Sequence, residues 1–321
     1  MELRRKTLKL MGSHIDILIF DSVDAETILD DAVEMLKMYE HRFSANDDSS
    51  ELMEVNHNAG IKAIKVHPDL FDLIKIGKNH SCASNSFLNI AIGPIVQTWR
   101  IGFKDVKVPT KQEIDDLLEI TDPNQIILNE EEQSVYLARK GMAINLGALA
   151  KGYIADKVWE YFAKEGITTA VIDLGGNIVV MGGSPARDGV AWNVGIQDPD
   201  ASRGKTLGTI LEKDKTIVTS GIYERYLTVD GQTYHHILNP KTGYPYDNNV
   251  EGVSVIVDSS TKGDALSTSM FSVGPKAGIE YANSHDGVDV IFVTKDKKVY
   301  VSNSIKETFK LTNANLELKE T

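Results

Sequence analysis

Cysteine is almost absent from this chain of 321 residues. The single Cys82 excludes an internal disulfide framework and any multi-cysteine metal site. Positive charge is scarce too, with 34 lysines and arginines against 46 aspartates and glutamates, a net charge of -12. That balance argues against nucleic acid as a partner, since binding a phosphate backbone needs a basic surface. It argues equally against a polybasic grip on anionic membranes. A small anionic ligand remains compatible only where local donors or a metal offset the repulsion. No stretch approaches the roughly 18 apolar residues of a membrane span, so no membrane insertion is expected. The segment MELRRKTLKLM is basic but holds no apolar run of signal-peptide length, and no cysteine stands early enough to carry a lipid. The expected location is cytoplasmic.

What is present is an ordinary globular composition, 42% hydrophobic and 25% charged. HIDILIFDS alternates as a strand does. AETILDDAVEMLKMYEHRF has helical spacing at Ile28, Val33, Leu36 and Phe43, with Asp24 as a cap. A helix is predicted from Pro68 to about Ala83, which would pack the Cys82 thiol. IGPIVQTWRIGF reads as a loop rich in Gly and Trp, KQEIDDLLEI as a short acidic helix, and QIILNEEEQSVYLAR as a hairpin. A long helix in INLGALAKGYIADKVWEYFAKEG closes at Gly166. Strands follow in TAVIDLGGNIVVMGG, AWNVGIQDP and GTILEKDKTIVTSG, and YLTVDGQTYHHIL holds an Asp-Gly hairpin turn. The end mixes a strand (GVSVIVD), helices (DALSTSMFSV, PKAGIEYANSH) and a hairpin (VDVIFVTKDKKVYVSN). Hairpin strands broken by helices predict an α+β fold with largely antiparallel sheets and packed helices. Neither a Pro- or Ser-rich linker nor a short repeat interrupts it, so one domain over 1–321 is expected.

Five segments are candidates for chemistry. Asp173-Leu-Gly175-Gly176-Asn177 follows a strand, but it lacks G-x-G-x-x-G and no helix comes directly after, so a tight turn on φ > 0 glycines is the better reading. In Asn145-Leu-Gly147-Ala148-Leu-Ala-Lys151-Gly152, two glycines flank the first turn of a helix, where unpaired N–H groups attract anions. Gly152 costs that helix about 1 kcal/mol against alanine, which points to close approach by a ligand or by another backbone. His235 and His236 face opposite sides of a strand, which argues against a paired-histidine metal site; one could serve as acid, base or donor. Ser220 lacks the G-x-S-x-G elbow of a nucleophile. Finally, Asp264 and Thr268 in DALST lie one helical turn apart, where two oxygens could converge on a hard cation. The competing reading makes Asp264, after Gly263, a helix N-cap.

In chain order, nine elements stand out: Met11-Gly12-Ser13; Phe43-Ser44 with Ser50-Glu51-Leu52; Gly93-Pro94; Asn145 through Tyr153 with Asp156; Asp173 through Asn177; Trp192 through Ile196; Thr219-Ser220-Gly221 with Tyr223-Glu224-Arg225; Tyr234 through Gly243; and Asp264 through Thr268. Together they resemble the ApbE family, flavin transferases that use FAD to attach FMN to a protein threonine or serine. The resemblance runs from Met11 to about Phe271 and implies one T-fold-like flavin transferase domain with its core over about 11–302. It implies Mg2+ held by the Ala148 carbonyl and the side chains of Asp264 and Thr268. Met11, Asn89, Asn145, Lys151, His236 and Ile237 are then the FAD contacts, with His236 as candidate base. FAD would be the substrate and a flavoprotein with a Thr or Ser site the acceptor, with AMP released. An FAD pyrophosphatase and a non-catalytic FAD carrier are the alternatives. Three positions depart from the family pattern. Ala45-Asn46 stands where many members have an aromatic, Leu88-Asn89-Ile90-Ala91 replaces Phe-Asp-x-Thr, and Ile222 replaces an Asp.

Overall fold

A computed structural model describes residues 3–21, 24–84 and 86–319. Contacts gather the chain into two compact bodies. One comprises residues up to Lys37, Lys151–Gly221 and the chain from Asn248 on; the other comprises Met38–Ala150 and Ile222–Asp247.

The first body is built on a sheet of nine strands whose spatial order follows chain order: Arg4–Leu10, Ser13–Ile19, Ala170–Asp173, Asn177–Met181, Lys215–Gly221, Val250–Val257, Asp289–Thr294, Lys298–Val301 and Glu317–Lys319. Each neighbouring pair is antiparallel except the last, which is parallel. Arg4–Leu10 escapes the reading of the sequence, because this edge strand opens on three consecutive basic residues and carries little apolar signal. It turns into Ser13–Ile19 through Met11 and Gly12, both at positive φ (51° and 70°), the backbone a two-residue hairpin turn requires. Ser22, at the end of the strand predicted there, lies outside the described residues.

Period-two alternation explains how the central strands are covered on both faces. Ile217 and Ile256 point into a cluster with Val194, Ile196, Leu207 and Ile210 of a second, three-stranded sheet. Val218 and Val257 point the other way, toward the helix Ser260–Ser284. At Gly263 of that helix an added Cβ would stand 2.5 Å from Val218 Cγ2, so only glycine permits this approach. The two helices predicted here are confirmed as a run broken at Gly274 (φ 77°, ψ 179°), just before Pro275. Helix Ala150–Lys164 crosses the start of this run. At Gly152 an added Cβ would fall 2.3 Å from the Ser260 carbonyl oxygen, so the close approach foreseen there is made by backbone.

In the second body, Ile95, Trp99, Ile101, Ile114 and Leu238 form a core, and Trp99 Nε1 donates to the Gly243 carbonyl at 2.8 Å. The segment IGPIVQTWRIGF, expected as a loop, is helical over Gly93–Trp99. Its Gly and Pro mark the helix start rather than a break, since proline suits the first turn, and Ile95 and Trp99 sit one turn apart on its buried side. Arg100 in the left-handed region ends it. Helix Lys111–Leu118 begins at a capping box: the Thr110 hydroxyl accepts from Glu113 N and Glu113 Oε2 accepts from Thr110 N. Helix Pro68–Cys82 forms as read, but Cys82 is its last residue and is exposed, not packed. The hairpin Ile126–Asn129 with Ser134–Leu137 pairs as expected, and Asp230 and Gly231, both at positive φ, join Tyr226–Val229 to Gln232–His235. No helix among the described residues is long and apolar enough to cross a membrane.

Two outcomes follow from this packing. Gly152→Ala gains helix propensity but forces backbone against the Ser260 carbonyl, so a net loss of about 1–3 kcal/mol is expected, read as a lower urea midpoint. Glu212, at the end of Thr206–Glu212, is pushed up to about 7 by burial and by Asp289, against Lys215. Between the ordinary carboxylate range and about 7 the folded state binds more protons than the unfolded one, so stability falls as pH rises through that window. Glu212→Gln should flatten the fall by about 1 kcal/mol, screening at this half-buried position included, as checked by Tm against pH.

Candidate functional site

Asp264 is the chemically distinctive residue of the first body. Its carboxylate is 6% exposed and sits in the second turn of helix Ser260–Ser284. The N-cap of that helix is Ser259, whose hydroxyl accepts from Lys262 N. The N-cap reading of Asp264 is therefore wrong. Gly263 before it is a packing glycine inside the helix.

The start of the helix is held from outside. Asp156 on Ala150–Lys164 accepts from Ser259 Oγ (2.8 Å), Ser260 N (2.7 Å), Thr261 N (2.9 Å) and Thr261 Oγ1 (2.7 Å). One carboxylate thus satisfies two of the N–H groups that a helix start leaves unpaired. One turn earlier on the same helix, Gly152 N donates to Asp264 Oδ2 at 2.6 Å. That N–H lies in the first turn of Ala150–Lys164, so Asp264 occupies the anion position of a helix N-terminus. Asn177 Nδ2 donates to Asp264 Oδ1 at 3.0 Å.

Burial pushes the Asp264 carboxyl up to about 6. The Lys151 ammonium opposes that rise, as do the hydrogen bonds from Asn177 and Gly152, while Asp156 adds to it. The donors do not fully offset the lost hydration. Thr268 lies one turn further on, its hydroxyl only 3.5 Å from the Asp264 carbonyl. Lys151 Nζ donates to the Gly175 carbonyl at 3.3 Å. Within this body the Lys151 charge acts on Asp264 and Asn177 reaches its carboxylate from the Gly175–Asn177 turn, whereas the Thr268 hydroxyl is turned to the Asp264 backbone carbonyl. Asp173 Oδ1 accepts from Gly175 N at 2.8 Å and the two glycines have φ of 70° and 112°, the tight turn expected. Met11 belongs to the first hairpin turn. Ser220 Oγ pairs with Ser267 Oγ at 2.8 Å, a hydroxyl pair without the acid–histidine partner a nucleophile needs.

The other predicted residues lie in the second body. Asn145 Oδ1 accepts from Gly147 N at 2.9 Å, shaping the turn that exposes Ala148, and Asn145 N donates to the Ile90 carbonyl at 2.8 Å. Asn89 spans its own turn: Nδ2 donates to the Thr121 carbonyl (2.7 Å) and Oδ1 accepts from Ala91 N (2.9 Å). The two histidines differ in burial as expected, although the strand Gln232–His235 ends before His236. His235 is buried, its Nε2 donating to the Tyr246 carbonyl at 2.9 Å while Nδ1 accepts from Ile237 N at 3.3 Å. His236 is half-buried, and its Nδ1 donates to the Arg225 carbonyl at 3.2 Å. That bond selects the Nδ1–H tautomer and leaves Nε2 as the basic nitrogen. Ile237 is buried beside it.

Asn177 and Asp156 stand inside motifs noted in the sequence, but their roles, like that of the Gly152 N–H, escape sequence reading. A signal existed for the second: Asp156 stands four residues after Gly152, on one helix face, amid Tyr153, Ile154 and Ala155. Asp264 and Thr268 themselves offer hard oxygens, and among the described residues no group of three or more His, Cys, Asp or Glu could hold a metal ion. One carboxylate and one hydroxyl fit an ion such as Mg2+, which is commonly held by one or two carboxylates together with substrate phosphates.

A sequence model of the ApbE family matches residues 11–292. An FAD:protein FMN transferase of Klebsiella pneumoniae (strain 342) is 37% identical over 294 residues, 92% of this chain and 90% of the relative. That of Treponema pallidum (strain Nichols) is 33% identical over 309 residues, 93% of this chain and 85% of the relative. Among solved structures, the ApbE protein from Thermotoga maritima matches with a TM-score of 0.84 at 25% identity, covering 94% of this chain and 98% of its own. Flavin transferase ApbE from Vibrio cholerae matches with 0.81 at 26%, covering 96% and 99%. The expected α+β, T-fold-like class is thereby borne out, and with a family match over most of its length the chain belongs to the ApbE family, a family of transferase enzymes.

Proposed function

We propose that the protein is an Mg2+-dependent FAD:protein FMN transferase, moving FMN from FAD to a Thr or Ser hydroxyl of an acceptor flavoprotein. The observation that carries this reading is the buried Asp264, held at a helix N-terminus with Thr268 one turn on, in a chain whose relatives bear that activity in their names. In the reaction the acceptor oxygen forms a bond to the FMN-side phosphorus, the bridging P–O bond breaks, and AMP leaves with the electron pair. The hydroxyl proton passes to a base, for which His236 Nε2 is the candidate. Its tautomer suits that task, because Nδ1–H is committed to the Arg225 carbonyl.

Asp264 and Thr268 would hold the ion with their side-chain oxygens and Ala148 with its carbonyl. Bound there, Mg2+ would supply charge stabilisation on the phosphoryl oxygens. Lys151 places a positive charge toward an anionic substrate. Asn145, Asn89, Met11 and Ile237 would line FAD, Asn89 through what its turn leaves available.

Incubation with FAD, Mg2+ and candidate acceptors should give covalent FMN, read as in-gel fluorescence or a mass shift. FMN and AMP formed without acceptor would instead identify a pyrophosphatase, and FAD held but never consumed a carrier. Asp264→Ala should lower Mg2+-dependent transfer by about a thousandfold, several kcal/mol of lost charge stabilisation, with the circular dichroism spectrum kept. Full turnover by that variant would sink the metal assignment. His236→Gln should slow transfer by about a hundredfold, with a much smaller loss of FAD affinity, measured by fluorescence quenching.

A further inference from the structure

Asn177 opens the strand Asn177–Met181 and is 1% exposed. Its amide nitrogen donates to Asp264 Oδ1 at 3.0 Å and reaches Ser260 Oγ at 3.4 Å. Its amide oxygen is buried with no hydrogen-bond partner. Such an orphan costs about 1–3 kcal/mol, and native structures rarely keep one without a reason. Rotating the amide gives no relief, since its oxygen would then face the Asp264 carboxylate and its nitrogen would lose both acceptors. The backbone leaves no freedom to move away either. Asn177 O accepts from Leu174 N at 2.9 Å, and the residue pairs with Val218 in the sheet. The cost is carried for the sake of Asp264.

An ionised carboxylate offers about four lone-pair sites. Gly152 N takes one on Oδ2 and Asn177 Nδ2 one on Oδ1. Two donors on different oxygens fix the plane of the group and leave one site on each oxygen for a cation. A charged donor in place of Asn177 would orient the carboxylate equally well but neutralise it. An amide orients it and leaves its charge available. We propose that Asn177 is a positioning residue, setting the Asp264 carboxylate in the orientation that binds a divalent cation. The inference rests on the Mg2+ reading above.

The test uses the full chain with FAD. Mn2+ binding is followed by calorimetry, the Mg2+ half-saturation of FMN transfer by activity, and unfolding by Tm without metal. Asn177→Ala should raise the Mn2+ Kd and the Mg2+ half-saturation together by about tenfold, as loss of a partner behind a ligand does, with a smaller effect on kcat at saturating Mg2+. Asn177→Leu, closer in size and free of the orphan oxygen, should show the same loss of affinity, and it serves where the alanine variant does not fold. A lowered Tm with wild-type Mn2+ affinity in the folded variants would reduce Asn177 to a structural part and overturn the proposal. Asp264→Asn separates the two failures. If it loses Mn2+ binding while the Asn177 variants keep it, the positioning role is wrong and the metal reading stands. If it binds Mn2+ as the wild type does, the metal reading fails and takes this one with it.

Discussion

A carboxylate removed from water at the first turn of a helix is the constraint on which this architecture depends. Left unpaired, buried Asp264 would cost several kcal/mol or take a proton. The structure meets it with the N–H of Gly152, the amide of Asn177 and the field of Lys151, yet burial still holds the group up at about 6. Each neighbouring feature follows from keeping those donors within reach. Gly152 has no side chain because the Ser260 carbonyl lies where a Cβ would be. Asp156 pins the first turn of the helix that carries Asp264. Gly263 lets the same helix settle onto Val218 and Val257, so the carboxylate is fixed in depth as well as direction. A short stretch of two crossing helices and one strand start thus holds a charge that none of them could bury alone.

Much of the fold is legible in the sequence where period and punctuation agree. Ala25–Phe43, Pro68–Cys82 and Lys111–Leu118 show helical spacing or a capping pattern, and the hairpins carry turn residues that need positive φ. What escapes reading depends on packing that no local window contains. Gly93–Trp99 resembles a loop in composition, and becomes a helix because Trp99 is enclosed by Tyr234, Tyr244 and the Gly243 carbonyl, all distant in sequence. Glu51–His57 hides in a polar run and starts at Ser50, whose hydroxyl accepts from Met53 N. Arg4–Leu10 and Glu317–Lys319 are edge strands, paired on one side only, and their sequences lack the apolar alternation that burial would impose.

The candidate site divides the same way. Asp264 and Thr268 declare their spacing, but whether Asp264 caps a helix or lies within one depends on where the helix begins, and Ser259 and Asp156 decide that. Gly152 announces a close approach without naming what approaches. The two histidines are assigned to opposite faces by strand geometry, yet which one is buried follows from the Tyr246 carbonyl, contributed by a later turn. Asn177, inside a motif otherwise spent on a glycine turn, gives no sign in the sequence that its side chain turns back to a carboxylate 87 positions on.

A net charge of -12 and the anionic substrate of the proposed reading conflict when charge is averaged over the whole chain. The field at the site is local, however, and resolves the conflict. The N-terminus of Ala150–Lys164 brings partial positive charge. Lys151 stands in its first turn, where the dipole disfavours a cation, and is kept there by the Gly175 carbonyl and by attraction to Asp264. On the proposed reading, a divalent ion would reverse the sign of the Asp264 position, and Lys151 would then be released from its role as counter-charge to that acid. The same lysine that steadies the carboxylate would then be available to a phosphate. On that reading, the positive potential at this site of an acidic protein would depend on the metal.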